Sequence, residues 1–170
     1  MGLKDEIRAL LQAGADARLA ELVAGNPRAV RHVMARLWDG DTVVCVHAAR
    51  ALGEAALSHP GLVREVTRRL MWALNDESAT RGGPGLIGLG EIGRRAPDLI
   101  RPYVPALVAC ARDRGLQAEL MHALGALGAT APDLVVPHLA ALERVMATSG
   151  APERAALAAL RAALDGSNHE

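Results

Sequence analysis

The sequence predicts an all-α fold in which similar helix pairs stack into a right-handed α-α superhelix of about ten helices. The first observation is a short motif that begins Leu-Gly or Leu-Ala in four of its five copies. Its second positions are residues 20, 53, 90, 125 and 161, which gives steps of 33, 37, 35 and 36 residues. A period in this range is typical of solenoid proteins, whose units stack to bury a shared core.

The second observation is a proline seven residues after the second motif position, followed by an apolar pair; these prolines are Pro27, Pro60, Pro97 and Pro132. Proline ends one helix or begins the next, where its missing N–H is not needed. Each repeat is therefore expected to contain a first helix that carries the motif and a second helix that begins near the proline.

The third observation is helical spacing of the apolar residues, with no alternating run that would indicate a strand. In the second helices the expected core stripe comprises Val63, Thr67, Leu70 and Leu74, then Ile100, Val104, Leu107 and Ala111, then Val135, Leu139, Leu142 and Met146.

We expect one domain over residues 1–170, in the following order. A capping helix spans 3–13, repeats span about 15–40, 42–76, 84–113 and 116–148, and a partial repeat spans 152–165. Glycine costs about 1 kcal/mol relative to alanine inside a helix, so Gly53, Gly90 and Gly125 predict close contact with a neighbouring helix. Asp98 and Asp133 are expected to cap second helices.

Composition excludes several classes of protein. Nineteen basic and nineteen acidic residues give a net charge of zero, and only 2% of the residues are aromatic. Whole-molecule attraction to nucleic acid or to an anionic membrane is therefore not expected. No apolar run is long enough to span a bilayer, no signal peptide is recognisable, and two distant cysteines favour a reducing cytoplasm.

The segment Ala48-Ala49-Arg50-Ala51-Leu52-Gly53-Glu54-Ala55 resembles the short bacterial HEAT-like repeats found in phycobilisome lyases and deoxyhypusine hydroxylases. The pairs Arg101-Pro102 and Val136-Pro137 fit the same pattern, and the resemblance covers roughly residues 15–165. It implies a HEAT-like solenoid and indicates no particular activity.

A second resemblance is to a family of small uncharacterised prokaryotic HEAT-like proteins. This chain keeps Trp72, Glu77, Ser78, Gly90, Glu91 and Ile92 of that family's pattern, but has residues 79–84 where the family has a glycine and a second tryptophan. The glycine-rich stretch that follows is interpreted either as a linker between helices or as a small binding loop with Glu77, Ser78, Arg81 and Glu91. Gly88, Gly90 and Gly93 form a G-x-G-x-x-G run, but with no preceding strand it is interpreted as part of the repeat.

Arginines give the functional hypothesis. Arg31, Arg64 and Arg101 lie eleven residues after the motif position in successive repeats, one residue from the core stripe, and Arg68 and Trp72 can join their surface. Stacked second helices would place them in register on a concave face suited to carboxylates; ordinary solvated helix surface is the alternative.

The sequence therefore favours a non-catalytic protein-binding or scaffold module that holds an acidic partner segment, with no metal and no cofactor. One alternative is an accessory protein for a cofactor-bearing enzyme, which rests on the phycobilisome lyase resemblance alone. The other is DNA binding, which the neutral charge and scarce aromatic residues disfavour.

Overall fold

Every regular element in the residues that the structure describes, 1–75 and 82–167, is helical in this computed structural model. The all-α prediction is therefore confirmed. The helix that precedes the repeats is α1 (Leu3–Gln12). The first helices of the successive units are α2 (Asp16–Gly25), α4 (Thr42–Ser58), α6 (Gly82–Arg95), α9 (Gln117–Gly128) and α11 (Ala151–Ser167).

The second helices are shorter and two of them are interrupted: α3 (Pro27–Ala35), α5 (Pro60–Leu74), α7 (Pro97–Ile100) with α8 (Val104–Ala109), and α10 (Leu139–Met146). Pro102 and Pro105 interrupt the second helix of the third unit, and a 3₁₀ turn over Arg101–Tyr103 joins its two parts, α7 and α8. Pro137 lies in a similar turn, Val136–His138, before α10. Proline has no N–H to donate to the helical ladder, so regular α-structure stops at these points.

Helix starts agree only in part with expectation. Pro27, Pro60 and Pro97 each begin a helix, and Asn26 caps α3 through the Arg28 amide. The prediction that Asp98 and Asp133 act as caps is wrong. Alanines occupy both cap positions. The two aspartates lie two residues further on, and their carboxylates contact the Arg101 guanidinium instead.

The core is built as the apolar spacing predicts. All the expected stripe residues of the second helices are buried except Leu74, which is partly exposed. Among the first helices α6 is the most enclosed, since its residues 82–93 are buried apart from Pro84.

First helices stack directly on one another: α4 and α9 both pack against α6, and these are the two most extensive helix contacts. A Cβ on Gly53 would lie 2.5 Å from the Glu91 carbonyl oxygen, and one on Gly90 would overlap the Ala123 backbone. The packing prediction is therefore confirmed for Gly53 and Gly90.

Gly125 does not behave in the same way, and the packing prediction is wrong there. A Cβ added to it would meet nothing within 4 Å. The next first helix, α11, approaches α9 one turn later, at Gly128, where a Cβ would lie 2.8 Å from Leu164 Cδ2. The fourth joint in the row is therefore looser than the two joints before it.

Second helices pack on first helices more than on each other: α3 lies on α4, and α5 lies on α4 and α6. None of the helices in the described part of the chain has both the length and the apolarity to cross a membrane.

Candidate functional site

A stripe of three exposed side chains follows the outer face of α5. Arg64, Arg68 and Trp72 are spaced by four residues, so they lie one turn apart on the same side of the helix. Val63 and Leu70 bury the opposite side of α5 in the core. The Trp72 residue is 74% exposed, an unusual setting for one of only three aromatic residues in the chain.

The guanidinium groups on this stripe are mostly free to bind a partner. Arg68 pairs with Glu65 at 2.7 Å, but both side chains are more than half exposed, so water and salt screen the pair. Arg64 has no ion pair within the described residues.

The preceding second helix, α3, adds to this basic character. It carries Arg28 and Arg31, both exposed, and no acidic residue. Together α3 and α5 contain five arginines and a single glutamate. A chain of zero net charge thus has a basic surface on α3 and α5.

Arg101 does not extend this surface as the register suggested. Its guanidinium contacts Asp98 at 3.3 Å and Asp133 at 3.6 Å, and it lies in the 3₁₀ turn that interrupts its helix. Two carboxylates beside one guanidinium leave no excess positive charge at this point of the surface. The expected row of three arginines is therefore reduced to Arg31 and Arg64, with Arg68 and Trp72 on the same helix as Arg64.

Of the residues predicted for a binding loop, Glu77, Ser78 and Arg81 lie outside the described residues. Glu91 lies in the middle of α6 and is only 2% exposed. Its carboxylate accepts hydrogen bonds from Arg94 Nε at 3.0 Å and His122 Nε2 at 3.2 Å. It is therefore engaged inside the helix stack rather than in a loop.

The protonation of Glu91 follows from these contacts. Burial by itself raises the pKa of the carboxyl group. The hydrogen bond from His122 and the positive charge of Arg94 outweigh burial, so the pKa lies below its ordinary value of 4.5. Glu91 is consequently a carboxylate at neutral pH.

Contacts of this kind link α2 to α4, α4 to α6 and α6 to α9, and the sequence analysis did not predict them. Asp16 on α2 contacts His47 at 2.6 Å and Arg50 at 3.3 Å on α4. Glu54 on α4 contacts Arg95 on α6 at 3.0 Å. His47 is therefore only 18% exposed. In the sequence, the glutamate that follows the motif glycine could have indicated these contacts between helices.

These pairs line an open groove of about 540 Å³ along α2, α4 and α6. Its three arginines, Arg50, Arg94 and Arg95, each have a carboxylate partner. The groove is consequently zwitterionic and less suited to an acidic ligand than the surface of α3 and α5.

A second groove, of about 410 Å³, lies between α9 and α11. Small and apolar residues form its walls: Ala118, Met121, Gly125, Gly128, Ala129, Ala156, Ala159, Leu160, Ala163 and Leu164. His122 is the one polar side chain that lines it.

No protein family, curated protein or solved structure matches this chain. The resemblance to HEAT-like repeats therefore rests on the motif residues, and any function must be argued from the side chains themselves.

The two thiols lack the features of a nucleophile. Burial, and secondarily the charge of Glu119, raise the pKa of Cys45 to about 11. Burial and the charge of Asp113 also raise the pKa of Cys110. Within residues 1–75 and 82–167 no three His, Cys, Asp or Glu side chains cluster in a way that could hold a metal ion.

Proposed function

We propose that this chain is a non-catalytic scaffold module that holds an acidic segment of a partner protein against α3 and α5. The observation that carries the proposal is the stripe of Arg64, Arg68 and Trp72, in which an exposed indole continues a row of exposed guanidinium groups. Tryptophan and arginine are the residue types most enriched among the dominant contacts of protein interfaces.

Each residue has a distinct part in the proposed contact. Arg31 and Arg64 have no ion pairs to break within the described residues, so their guanidinium groups can bind carboxylates bidentately. Arg68 must exchange Glu65 for a partner carboxylate, which costs little because that pair is exposed. Trp72 supplies the apolar area that gives the contact affinity as well as charge complementarity.

The superhelical arrangement forms part of the proposal. Repeated helix pairs with neighbour-to-neighbour contacts favour a right-handed HEAT-like stack. The close approach of first helices at Gly53 and Gly90 supports direct stacking of neighbouring units. The acidic segment would then bind along the second-helix side, which the sequence pattern predicts to be the concave face.

A labelled peptide rich in Asp and Glu, titrated by fluorescence anisotropy, tests the proposal directly. Changing Arg31, Arg64 and Arg68 to Ser together should weaken binding about a hundredfold, because each charged contact contributes roughly 1 kcal/mol. Trp72→Ala should weaken it about tenfold or more, as loss of a central aromatic anchor does.

The matched control replaces three other exposed arginines, Arg112, Arg144 and Arg154, with Ser. It removes the same charge from elsewhere on the molecule and should leave peptide affinity unchanged. Equal weakening in both triple variants would show that only overall charge matters, and the proposed surface would be wrong.

Competition with other polyanions decides between the proposal and its alternatives. If single-stranded or double-stranded DNA displaces the peptide and binds more tightly, the DNA-binding hypothesis replaces the protein-binding one. An accessory role toward a cofactor-bearing enzyme would use the same surface, with the enzyme as the acidic partner.

Free thiols at Cys45 and Cys110 favour the cytoplasm as the compartment.

A further inference from the structure

A small pocket of about 240 Å³ lies where the turn after α3 and the start of α4 meet α6 and α9. Trp38 forms one wall, and Asp41 and Cys45 line it from the start of α4. Ile87 and Glu119 close it from α6 and α9. Pockets that hold whole small molecules begin at about 300 Å³, so this one suits a smaller group, such as a single side chain.

The charged groups around this pocket are all negative. Asp41 and Glu119 line it, and no basic side chain among the described residues does so. Arg36, the nearest arginine along the chain, pairs with Asp39 at 2.9 Å and therefore adds no net charge. A chain of zero net charge thus has a local excess of negative charge at a concave site.

Glu119 lacks a partner for its carboxylate. Within residues 1–75 and 82–167 it forms no hydrogen bond and no ion pair. Its Oε1 atom would lie 3.2 Å from a Cβ on Gly83, so the carboxylate rests against the first turn of α6. The start of a helix carries roughly half a positive charge, which offsets only part of the negative charge in the pocket.

The thiol of Cys45 is a second group without a partner. The residue is 5% exposed, lines the pocket and makes no hydrogen bond to any other described residue through its sulfur. Burial, and secondarily the charge of Glu119, raise its pKa to about 11, so the group is a neutral thiol. A donor placed between this sulfur and the Glu119 carboxylate would satisfy both groups.

We propose that this pocket binds a primary alkylammonium group, the chemistry of a lysine side chain. The ammonium group lies between Glu119 and Asp41, and the alkyl chain packs against Trp38 and Ile87. Three N–H donors match two carboxylates and the thiol sulfur, and the indole face attracts a cation. Binding transfers no atom.

Nα-acetyl-lysine amide titrated into ¹⁵N-labelled protein tests the pocket, because the indole N–H resonances of Trp38 and Trp72 are separate reporters. The Trp38 indole and the amides of Asp41 and Ile87 should shift, whereas the Trp72 indole should not. Nα-acetyl-norleucine amide has a similar chain without the charge and should bind about tenfold more weakly. Equal binding of these two compounds, or no saturable shift at Trp38, would overturn the proposal.

Two further compounds identify the source of the ammonium group. Tighter binding of the lysine amide than of cadaverine supports a lysine of a partner protein, and the reverse order supports a free amine at the same site. Nα-acetyl-arginine amide has a planar cation instead, and tighter binding of that compound would overturn the assignment to an ammonium group.

Glu119→Gln keeps the size of the side chain and removes its charge, so lysine amide affinity should fall about tenfold. Glu65→Gln, at an exposed glutamate on α5, is the matched control and should bind normally. Circular dichroism melting shows whether each variant is folded. A folded Glu119→Gln variant with unchanged affinity would contradict the proposal.

Asp41→Asn is a second variant that does not depend on the packing of Glu119. Asparagine caps a helix as well as aspartate does, so α4 should remain intact. Affinity should fall about threefold, since Asp41 is exposed and contributes less than Glu119. Unchanged affinity in this variant would show that the negative charge of the pocket does not select the ligand.

Discussion

Gly90 and Gly125 occupy equivalent positions in successive repeats but have opposite surroundings. The Gly90 position touches the backbone of Ala123, whereas the Gly125 position opens into the groove beside α11. Backbone atoms cannot rotate out of the way as a side chain can, so even one methyl group at residue 90 requires α6 and α9 to move apart.

The first prediction compares two alanine substitutions. Gly90→Ala should lower the free energy of unfolding by about 1–3 kcal/mol through overpacking. Gly125→Ala should raise it by roughly 0.5–1 kcal/mol, because alanine favours the helix and meets no obstacle. Urea denaturation monitored by circular dichroism measures both, and equal effects would contradict the close-contact interpretation.

The second prediction concerns acid stability through Glu91. Its pKa is lower in the folded protein than the ordinary 4.5, so the carboxylate stabilises the fold above that value. The stabilisation is lost as pH falls from about 4.5 through the folded pKa. Glu91→Gln should lower stability at neutral pH by about 1–3 kcal/mol and flatten the fall in stability below pH 5.

Glu21→Gln is its matched control. Glu21 occupies the same motif position in the first repeat, but its side chain is 69% exposed and, among the described residues, its one ion pair is with Arg18. The change should alter stability by less than about 0.5 kcal/mol at any pH. A similar acid profile for both variants would mean that Glu91 has no special role in acid unfolding.

Residue roles were predictable only where local pattern decides them. The burial of Val63 and Leu70 follows from helical spacing alone. The pairing of Glu91 with His122 depends on which helix stacks on α6, and the exposure of Gly125 depends on how far α11 stands from α9. Neither the helix that stacks on α6 nor the spacing between α9 and α11 can be predicted from the sequence of a single repeat.

At the element scale, helix type and order were predictable and helix continuity was less so. The apolar spacing and the prolines located nearly every helix, because both act within one or two turns. Asp98 and Asp133 look like caps in sequence, but Arg101 competes for their carboxylates, and it lies within reach of Asp133 only through tertiary contact.

The third prediction is that α6 is the most protected element in hydrogen exchange. It is covered by α4, α9 and α5, and its residues 85–93 are all buried. Amides of α6 should exchange only through global unfolding, while those of α3, α10 and the broken helix α7–α8 exchange faster through local opening. Similar protection in α6 and α10, measured by mass spectrometry or NMR, would contradict this ranking.

At the scale of the whole molecule, net charge conceals the arrangement of charge. Composition correctly indicates a neutral chain, yet α3 and α5 together carry five arginines and one glutamate. On the first helices, Arg50 and Arg95 pair with carboxylates of the neighbouring first helix instead. The sequence indicated a basic surface on second helices, but the contact of Arg101 with Asp133 depends on how neighbouring units pack.

The fourth prediction follows from this local concentration of charge. Affinity for an acidic peptide should fall about tenfold or more as salt rises from about 0.05 to 0.5 M, because exposed charge pairs are screened over about 10 Å at 0.1 M. The loss should come mainly from slower association. Stopped-flow titration at several salt concentrations measures it, and salt-independent binding would indicate a contact dominated by Trp72 alone.

The unequal joints between first helices have a mechanical consequence. Backbone contact at Gly53 and Gly90 makes the α4–α6–α9 segment stiff, since any bending there must compress main-chain atoms. The joint between α9 and α11 has open space along much of its length. A pulling force applied to the C-terminus would meet its weakest resistance there, so α11 should peel away at low force while the rest of the stack still bears the load.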